Sequence, residues 1–348
     1  MDNEYMLDKD GAMIPKGDDL KNVIFTKSTA VGSLLLIYFI ISKFFGYLSY
    51  HVLYFRYTHK ITLSSKKAIN YLLDNHESLV RSTTFSMSVN MLASLLAGVL
   101  IYIIAKRILH LKLSMRYRPE RSLMKTGAMW MPACFMANMI FSLMAAYFTA
   151  FMGSTGISIP QADFSVRSPT TVAIILQFTY IVIVAPILEE CIYRGLVLGA
   201  LREYSNSAAI LLSALSFALM HSNIPQAVSA FATGVMFAVI AVNCGSVIPT
   251  ITIHMLNNLM ANYNDIASAL GFSKADTLFS IIQVALGLVG SYVLFTRYHH
   301  MKVEKNDALP TKGETTRIIF TNPAVLLYLG YLVYSIIAPI LRANGIIS

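Results

Sequence analysis

Charged residues are scarce in this sequence. Asp, Glu, Lys and Arg make up 13% of the 348 residues and hydrophobic residues make up 56%, whereas about a quarter of the residues in a soluble domain are charged. This composition excludes an ordinary soluble protein and indicates a membrane protein. The net charge of +9 does not indicate a nucleic-acid partner, because the basic residues fall mainly between apolar runs, where they set membrane orientation.

The patterns of several common enzyme classes are also missing. The three cysteines, Cys134, Cys191 and Cys244, form no CxxC pair, so neither a disulfide framework nor a cysteine zinc site is expected. There is no HExxH motif and no GxSxG motif, since Ser154 lies in GSTG. Every aspartate lies outside the apolar runs, which argues against a membrane aspartyl protease.

Long apolar runs dominate the rest of the chain. A run of about 17 to 25 apolar residues is long enough to span a bilayer as a helix. We therefore predict an all-α fold, a polytopic helical transmembrane bundle with about eight or nine membrane segments. The candidate segments are approximately 30–54, 89–109, 127–151, 170–201, 207–221, 226–243, 246–263, 277–296 and 318–341.

The boundaries of some candidate segments are not sharply defined by the sequence. The fifth, sixth and seventh runs are short and joined by tight connections at 222–225 and 243–246, so half-spans or re-entrant segments remain open there. We find no internal repeat. We predict four regions: a polar cytoplasmic N-terminus at 1–29, N-terminal membrane helices at 30–169, a core at 170–263 that carries the candidate functional residues described below, and C-terminal membrane helices at 264–348.

A basic loop gives the strongest orientation signal. Seven basic residues lie from the end of the second run to the start of the third: Lys106, Arg107, Lys112, Arg116, Arg118, Arg121 and Lys125. Because basic loops stay on the cytoplasmic side, we predict an integral protein of the cell membrane with a cytoplasmic N-terminus. The segment 51–88 then lies outside despite its own basic residues, and its middle, 66–80, is predicted to be an amphipathic helix on the membrane surface.

Ionisable residues interrupt the apolar run 170–201. Charged groups inside a membrane-length helix are costly and by default mark a functional site. Glu190 and Arg194 are four residues apart and share a helix face, so they can form an ion pair. Glu189 is less committed to that pair and is therefore the candidate for chemistry. The alternative is a purely structural charge cluster, since buried polar residues also hold membrane helices together.

Further polar residues interrupt two neighbouring runs. Phe217 and His221 stand four apart in the fifth run, and His254 and Asn258 stand four apart in the seventh. Each pair alone is compatible with packing between helices. At 1.5 Å per residue, however, both histidines, Asn258 and Glu189 fall at overlapping depths. We therefore predict that they converge on one polar pocket.

Such a pocket could hydrolyse a peptide bond. Glu189 with His221 could hold and deprotonate water, while His254 and Asn258 could donate hydrogen bonds to the oxyanion that forms when the carbonyl is attacked. This mechanism requires no cofactor. Alternatively, Glu189, His221 and His254 could bind zinc, which would activate the water instead. The residue types leave the question of a metal open.

The motifs resemble those of a known family. The pattern EExxxR lies at 189–194, FxxxH at 217–221 and HxxxN at 254–258. In this order they are similar to the motifs of the CAAX protease and bacteriocin-processing (CPBP or Abi) family, which includes type II CAAX prenyl endopeptidases. The resemblance covers roughly 170–263. It implies an intramembrane endopeptidase in which Glu189 and His221 activate water and His254 and Asn258 stabilise the oxyanion. Glu190, Arg194 and Phe217 are expected to support these residues.

The resemblance leaves the substrate and two other functions open. The partners it implies are the lipid bilayer and a peptide or protein substrate at the membrane, which could be a prenylated CAAX tail, a peptide pheromone, a bacteriocin leader or another membrane protein. A second function is that of a non-catalytic family member, such as a bacteriocin-immunity protein or regulatory scaffold. A transporter is a third, although inverted repeats typical of transporters are not found.

Overall fold

The computed structural model describes residues 5–7, 13–15, 18–111, 115, 120–271, 275–311 and 313–347. A short hairpin pairs β1 with β2 in antiparallel fashion, and the rest of the regular structure in these residues is helical, which confirms the predicted helical fold. The elements are β1 Tyr5–Leu7, β2 Met13–Pro15, α1 Asp18–Thr58, α2 Ser65–Val80, α3 Thr83–Ile103, α4 Arg121–Ser154, α5 Thr171–Phe178, α6 Ala185–Glu190, α7 Gly199–Leu201, α8 Asn206–Leu219, α9 Ile224–Cys244, α10 Ile248–Ala269, α11 Ala275–Arg297, α12 Glu314–Phe320 and α13 Pro323–Ala343.

In the part of the chain that the structure describes, three π-helical stretches and one 3-10 turn extend these helices. A π turn continues α3, and a 3-10 turn follows α11. Two more π turns join α5, α6 and α7 into one continuous helix, which we call the motif helix (Thr171–Leu201). These additional elements are the π turns Ile104–Ile108, Thr179–Val184 and Cys191–Leu198, and the 3-10 turn Tyr298–Met301.

Within the described residues, six helices are long and apolar enough to cross a membrane: α1, α3, α4, the motif helix, α9 and α13. Helix α8 and the apolar part of α11 are shorter. With 14 residues, α8 rises about 21 Å, less than the roughly 30 Å of a hydrocarbon core. The structure thus supports an integral membrane protein, but it does not confirm a count of eight or nine segments.

Helix α1 begins earlier than the apolar run at 30. Leu20, Ile24 and Ser28 are fully or almost fully buried, and their four-residue spacing puts them on one helix face. Packing of this face extends the helix back to Asp18, through sequence too polar to be recognised as part of a membrane segment. With 41 residues, α1 is the longest described helix.

The amphipathic helix predicted at 66–80 is α2. Ser64 caps its N-terminus by accepting a hydrogen bond from the backbone N–H of Lys67, and Ala68 and Leu72 are buried on one face. Three residues of the basic orientation loop, Lys112, Arg116 and Arg118, lie outside the described residues. The other four are exposed: Lys106, Arg107, Arg121 and Lys125. Which side of the membrane this loop faces remains a prediction.

The first and last long helices pack against each other. A Cβ atom at Gly32 would lie 2.6 Å from the backbone of Ala324 and Val325, so α1 and α13 touch at a point where only glycine fits. Asn322 strengthens this junction, since its Nδ2 donates to the carbonyl of Phe25 at 3.1 Å. The motif helix packs against α1, α3, α8, α9 and α10. Its C-terminal part is enclosed by protein, since every residue of 192–201 is buried.

Candidate active site

The motif helix changes its winding on either side of the two glutamates. The π turns Thr179–Val184 and Cys191–Leu198 flank α6, which ends at Glu190. Pro186 has no amide hydrogen to donate to the preceding turn, which accounts for the altered register before it. Short π segments are rare and are frequently found at functional sites. They set the direction in which the glutamates leave the helix.

Glu190 and Arg194 form a fully buried ion pair. The Nη1 atom of Arg194 lies 2.9 Å from Oε1 of Glu190, and neither side chain is exposed. Nη2 of Arg194 donates to the backbone carbonyl of Gly234 at 3.1 Å. The guanidinium carbon lies 4.5 Å from the ring centre of Phe217 and 5.4 Å from that of Phe237. Arg194 therefore links the motif helix to α8 and α9.

Gly234 permits the close approach of α9. A Cβ atom there would lie 3.1 Å from Cδ1 of Phe217 and 3.4 Å from Cα of Ala214. Without a side chain, α9 comes close enough for its carbonyl group to reach Arg194. Neither Gly234 nor Phe237 was predicted as a site residue, since a glycine or phenylalanine in an apolar run carries no chemical signal of its own.

His254 lies between the two adjacent glutamates. Its Nδ1 atom is 3.0 Å from Oε1 of Glu190, and its Nε2 atom is 3.6 Å from Oε2 of Glu189. A carboxylate paired with arginine only accepts hydrogen bonds, so Nδ1 carries the hydrogen of the shorter contact. The contact to Glu189 is longer than a hydrogen bond. Nε2 therefore faces Glu189 without being tied to it.

His221 lies in the turn after α8, which ends at Leu219, instead of inside the helix as the run 207–221 predicted. Its Nδ1 atom is 2.9 Å from the carbonyl oxygen of Phe217. Because a carbonyl only accepts hydrogen bonds, Nδ1 is the protonated nitrogen, and Nε2 keeps a lone pair. The next residue, Ser222, has a left-handed backbone with φ 57°. Asn223 then caps α9 by accepting a hydrogen bond from the Gln226 backbone N–H at 2.9 Å.

Phe217 contacts both histidines. Its ring centre lies 5.3 Å from that of His221 and 5.3 Å from that of His254, with an interplanar angle of 88° in both pairs. These edge-to-face contacts fix the planes of both imidazoles. Arg194 packs against the same phenyl ring. Phe217 thus connects the buried ion pair with both histidines.

Asn258 connects α10 to the motif helix. Its Nδ2 atom donates to the backbone carbonyl of Ile181 at 2.9 Å. Ile181 lies in the π turn Thr179–Val184 of the motif helix. The backbone carbonyl of Asn258 accepts a hydrogen bond from Nδ2 of Asn262 at 3.0 Å. A side-chain amide nitrogen carries two hydrogens, so Asn258 keeps a second donor besides the one that anchors it.

All four residues predicted to act in catalysis line one cavity of about 400 Å³. We call it the amide cavity, because amide and hydroxyl side chains of α4, α9 and α10 form much of its wall: Asn138, Ser142, Gln226, Ser229, Thr233, Asn257 and Asn262. The structure thus brings Glu189, His221, His254 and Asn258 together in one polar space. Backbone groups of a peptide could form hydrogen bonds along such a wall.

A second cavity of about 640 Å³ lies between α1, α3 and the motif helix. We call it the aromatic cavity because of six lining residues: Tyr38, Phe39, Tyr47, Tyr50, Phe85 and Tyr180. Tyr180, Ala185, Glu189 and His221 line both cavities. Glu189 and His221 therefore lie at the junction of two cavities.

The donor types of the predicted zinc ligands suit a metal. In both histidines Nδ1 is bound to an acceptor, as is usual for histidine ligands, and Nε2 is directed elsewhere. The geometry does not fit, because within the described residues no group of three His, Cys, Asp or Glu side chains is arranged to hold a metal ion. The described arrangement of Glu189, His221 and His254 therefore does not fit a bound metal ion.

A loop held by hydrogen bonds lies beside the amide cavity. Phe164 lines the cavity, and its carbonyl accepts a hydrogen bond from Nε2 of the buried Gln177 at 2.7 Å. Asp163 accepts a hydrogen bond from the Ser165 backbone N–H at 3.0 Å and pairs with Arg167 at 2.6 Å. These hydrogen bonds from Ser165 and Arg167 hold the pKa of Asp163 well below its usual range.

The comparison with known proteins agrees with the motifs. Residues 171–260 match a family model described as "Type II CAAX prenyl endopeptidase Rce1-like". This segment begins with α5, ends within α10 and contains all three motifs. Neither a curated protein nor a solved structure gives a significant match. The matched family is a protease family, which supports peptidase activity at the family level. Over residues 171–260 the chain is thus similar to Rce1-like type II CAAX prenyl endopeptidases, which confirms the family resemblance of the motifs.

Proposed function

We propose that the protein is an intramembrane endopeptidase that hydrolyses a peptide bond in a CAAX-type or other membrane-associated peptide. The observation that carries this proposal is the position of Glu189 and His221 at the junction of the amide and aromatic cavities. A peptide that occupies both cavities would pass directly over these two side chains. The family match over 171–260 supports the same reaction class.

The two glutamates differ in their availability for proton transfer. Glu190 is fully buried and bound by Arg194 and His254, whereas the side chain of Glu189 is 14% exposed and faces both cavities. Glu189 therefore acts as the general base. Nε2 of His221 accepts a hydrogen bond from the same water and orients it for attack. The buried ion pair positions Glu189 and His254 without touching the reacting atoms.

In the proposed reaction, Glu189, His254 and Asn258 act on the water and on the peptide bond. Glu189 removes a proton from water as the oxygen forms a bond to the peptide carbonyl carbon. Nε2 of His254, when protonated, and the second amide hydrogen of Asn258 stabilise the resulting oxyanion. The C–N bond breaks, and Glu189 returns the proton to the leaving amine. The products are a new carboxylate and a new amine, and no covalent enzyme intermediate forms.

The proposal needs no cofactor, and zinc binding by Glu189, His221 and His254 is its competitor. The test is cleavage of a fluorogenic CAAX-type peptide by the purified wild type and Glu189→Gln, each with and without a chelator. Loss of cleavage on mutation and persistence in chelator support the metal-free mechanism. Loss in chelator that zinc restores would contradict it. Full activity of Glu189→Gln would favour a role for Glu189 in packing only.

A further inference from the structure

Lys43 is a charged residue inside the apolar part of α1. It is exposed, and its neighbours along the helix, Ile40 and Phe44, are each 60% exposed, as expected for a surface that faces lipid. Lys43 also lies near the middle of the apolar run 30–54, not at its edge. Within the described part of the chain, no hydrogen bond or ion pair engages its ammonium group. An ionisable residue at such a position is costly and by default functional.

Lys43 lines the aromatic cavity together with Glu189. Among the described residues that form this cavity, Lys43 is the single lysine or arginine, and Glu189 is the single acidic residue. Between them the wall is made of aromatic and aliphatic side chains and a few small polar ones. The cavity thus suits a ligand with apolar side chains and one negative charge at a distance from the reacting bond.

The positions along α1 give that distance. Tyr38 is the first residue of α1 that lines the same cavity as Glu189, and we take it as the level of the reacting bond. Lys43 is five residues further along, which is about 7.5 Å of helix rise. At the far end, Tyr50 contacts Phe85 with ring centres 5.5 Å apart. Since an extended peptide rises about 3.3 Å per residue, the ammonium group is two to four residues from a bond held at Glu189.

A CAAX motif is by definition the C-terminus of its protein. An enzyme that cuts within or next to it must accommodate a free carboxylate within about four residues of the bond. We propose that Lys43 binds the C-terminal carboxylate of the substrate, so that the residues after the cleaved bond occupy the aromatic cavity. This inference rests on the proposed endopeptidase function. It also gives a substrate-binding role to a residue outside the family match at 171–260.

The test compares two forms of one internally quenched CAAX-type peptide, with a free C-terminal acid or a C-terminal amide. For the wild type we expect kcat/KM to favour the acid by about 10- to 100-fold, as for one charge-assisted hydrogen bond. Lys43→Gln should lose this preference through a lower kcat/KM for the acid, with little change for the amide. Lys43→Arg should keep most of it. Lys60→Gln, which removes an exposed charge in the turn after α1, is the matched control.

Several outcomes would overturn the proposal. Equal cleavage of the acid and the amide peptide by the wild type would exclude the proposed role of Lys43 and leave the endopeptidase function intact. This comparison uses the wild-type protein alone, so it does not depend on whether a variant folds. An equal loss on both peptides in Lys43→Gln would show a structural role. A dependence on the fraction of phosphatidylglycerol in the vesicles, equal for both peptides and lost in Lys43→Gln, would show binding of a lipid headgroup. Cleavage of neither peptide by the wild type would overturn the endopeptidase function itself.

Discussion

Nε2 of His254 lies 3.6 Å from Oε2 of Glu189, whereas its Nδ1 lies 3.0 Å from Oε1 of Glu190. One imidazole thus bridges two glutamates that are adjacent in sequence. The contact to Glu190 belongs to a buried network that includes Arg194, and the contact to Glu189 opens into the cavities. Substitution of each glutamate should therefore affect a different property, stability in one case and turnover in the other.

Glu190→Gln should destabilise the fold. The change leaves the guanidinium of Arg194 buried without its anionic partner, and breaking a buried ion pair in this way costs about 3–5 kcal/mol. We expect a clear fall in the thermal unfolding temperature, measured in detergent. The control is Glu77→Gln, because Glu77 pairs with Arg81 at 61% and 59% side-chain exposure, and exposed pairs contribute about 0–1 kcal/mol. Equal unfolding temperatures for the two variants would refute the role given to Glu190.

Gly234→Ala should reduce both stability and activity. The new methyl group would lie 3.1 Å from Cδ1 of Phe217, and the shift this forces would separate Arg194 from its backbone acceptor. Overpacking of this kind costs about 1–3 kcal/mol. Gly153→Ala in α4 is the matched control, since nothing lies within 4 Å of its added Cβ. Unfolding temperature and kcat should fall for Gly234→Ala alone, and a normal kcat in that variant would show that the close approach of α9 does not matter.

Sequence reasoning identified the polar side chains that line the amide cavity, because polar residues are costly inside apolar helices and therefore stand out in the sequence. The EExxxR, FxxxH and HxxxN patterns pointed to Glu189, His221, His254 and Asn258, and rise per residue was enough to place them at one depth. The i,i+4 geometry also predicted the pair of Glu190 with Arg194, which the structure contains. These features depend on local spacing, which a sequence shows directly.

Features that depend on packing between distant segments were not predictable in the same way. The carbonyl of Gly234 reaches Arg194 only because α9 packs closely against the motif helix, and no side-chain pattern in the sequence indicates that contact. The aromatic cavity is formed by α1 and α3, whose aromatic residues are indistinguishable in sequence from lipid-facing ones. The early end of α8 at Leu219 reflects the left-handed residue Ser222, whereas apolarity alone continues the run to 221.

The loop before α5 should keep its order in mild acid. The pKa of Asp163 is depressed, so its contribution to folding is complete above the usual aspartate pKa of about 4 and is lost only as pH falls through the lower folded value. Hydrogen exchange at the Ser165 amide, corrected for intrinsic rate, should therefore show equal protection at pH 7 and pH 5. Asp163→Asn should lower protection at both. A loss of protection in the wild type between pH 7 and pH 5 would contradict the assignment.

The most direct test of the account is kcat for a CAAX-type peptide in Glu189→Gln, measured beside the wild type with both unfolding temperatures recorded. Gln keeps the size and polarity of Glu189 but cannot take a proton, and general-base catalysis contributes about 10²- to 10⁴-fold. The account predicts a fall of that size with an unchanged unfolding temperature. A folded Glu189→Gln protein that retains wild-type kcat would contradict it.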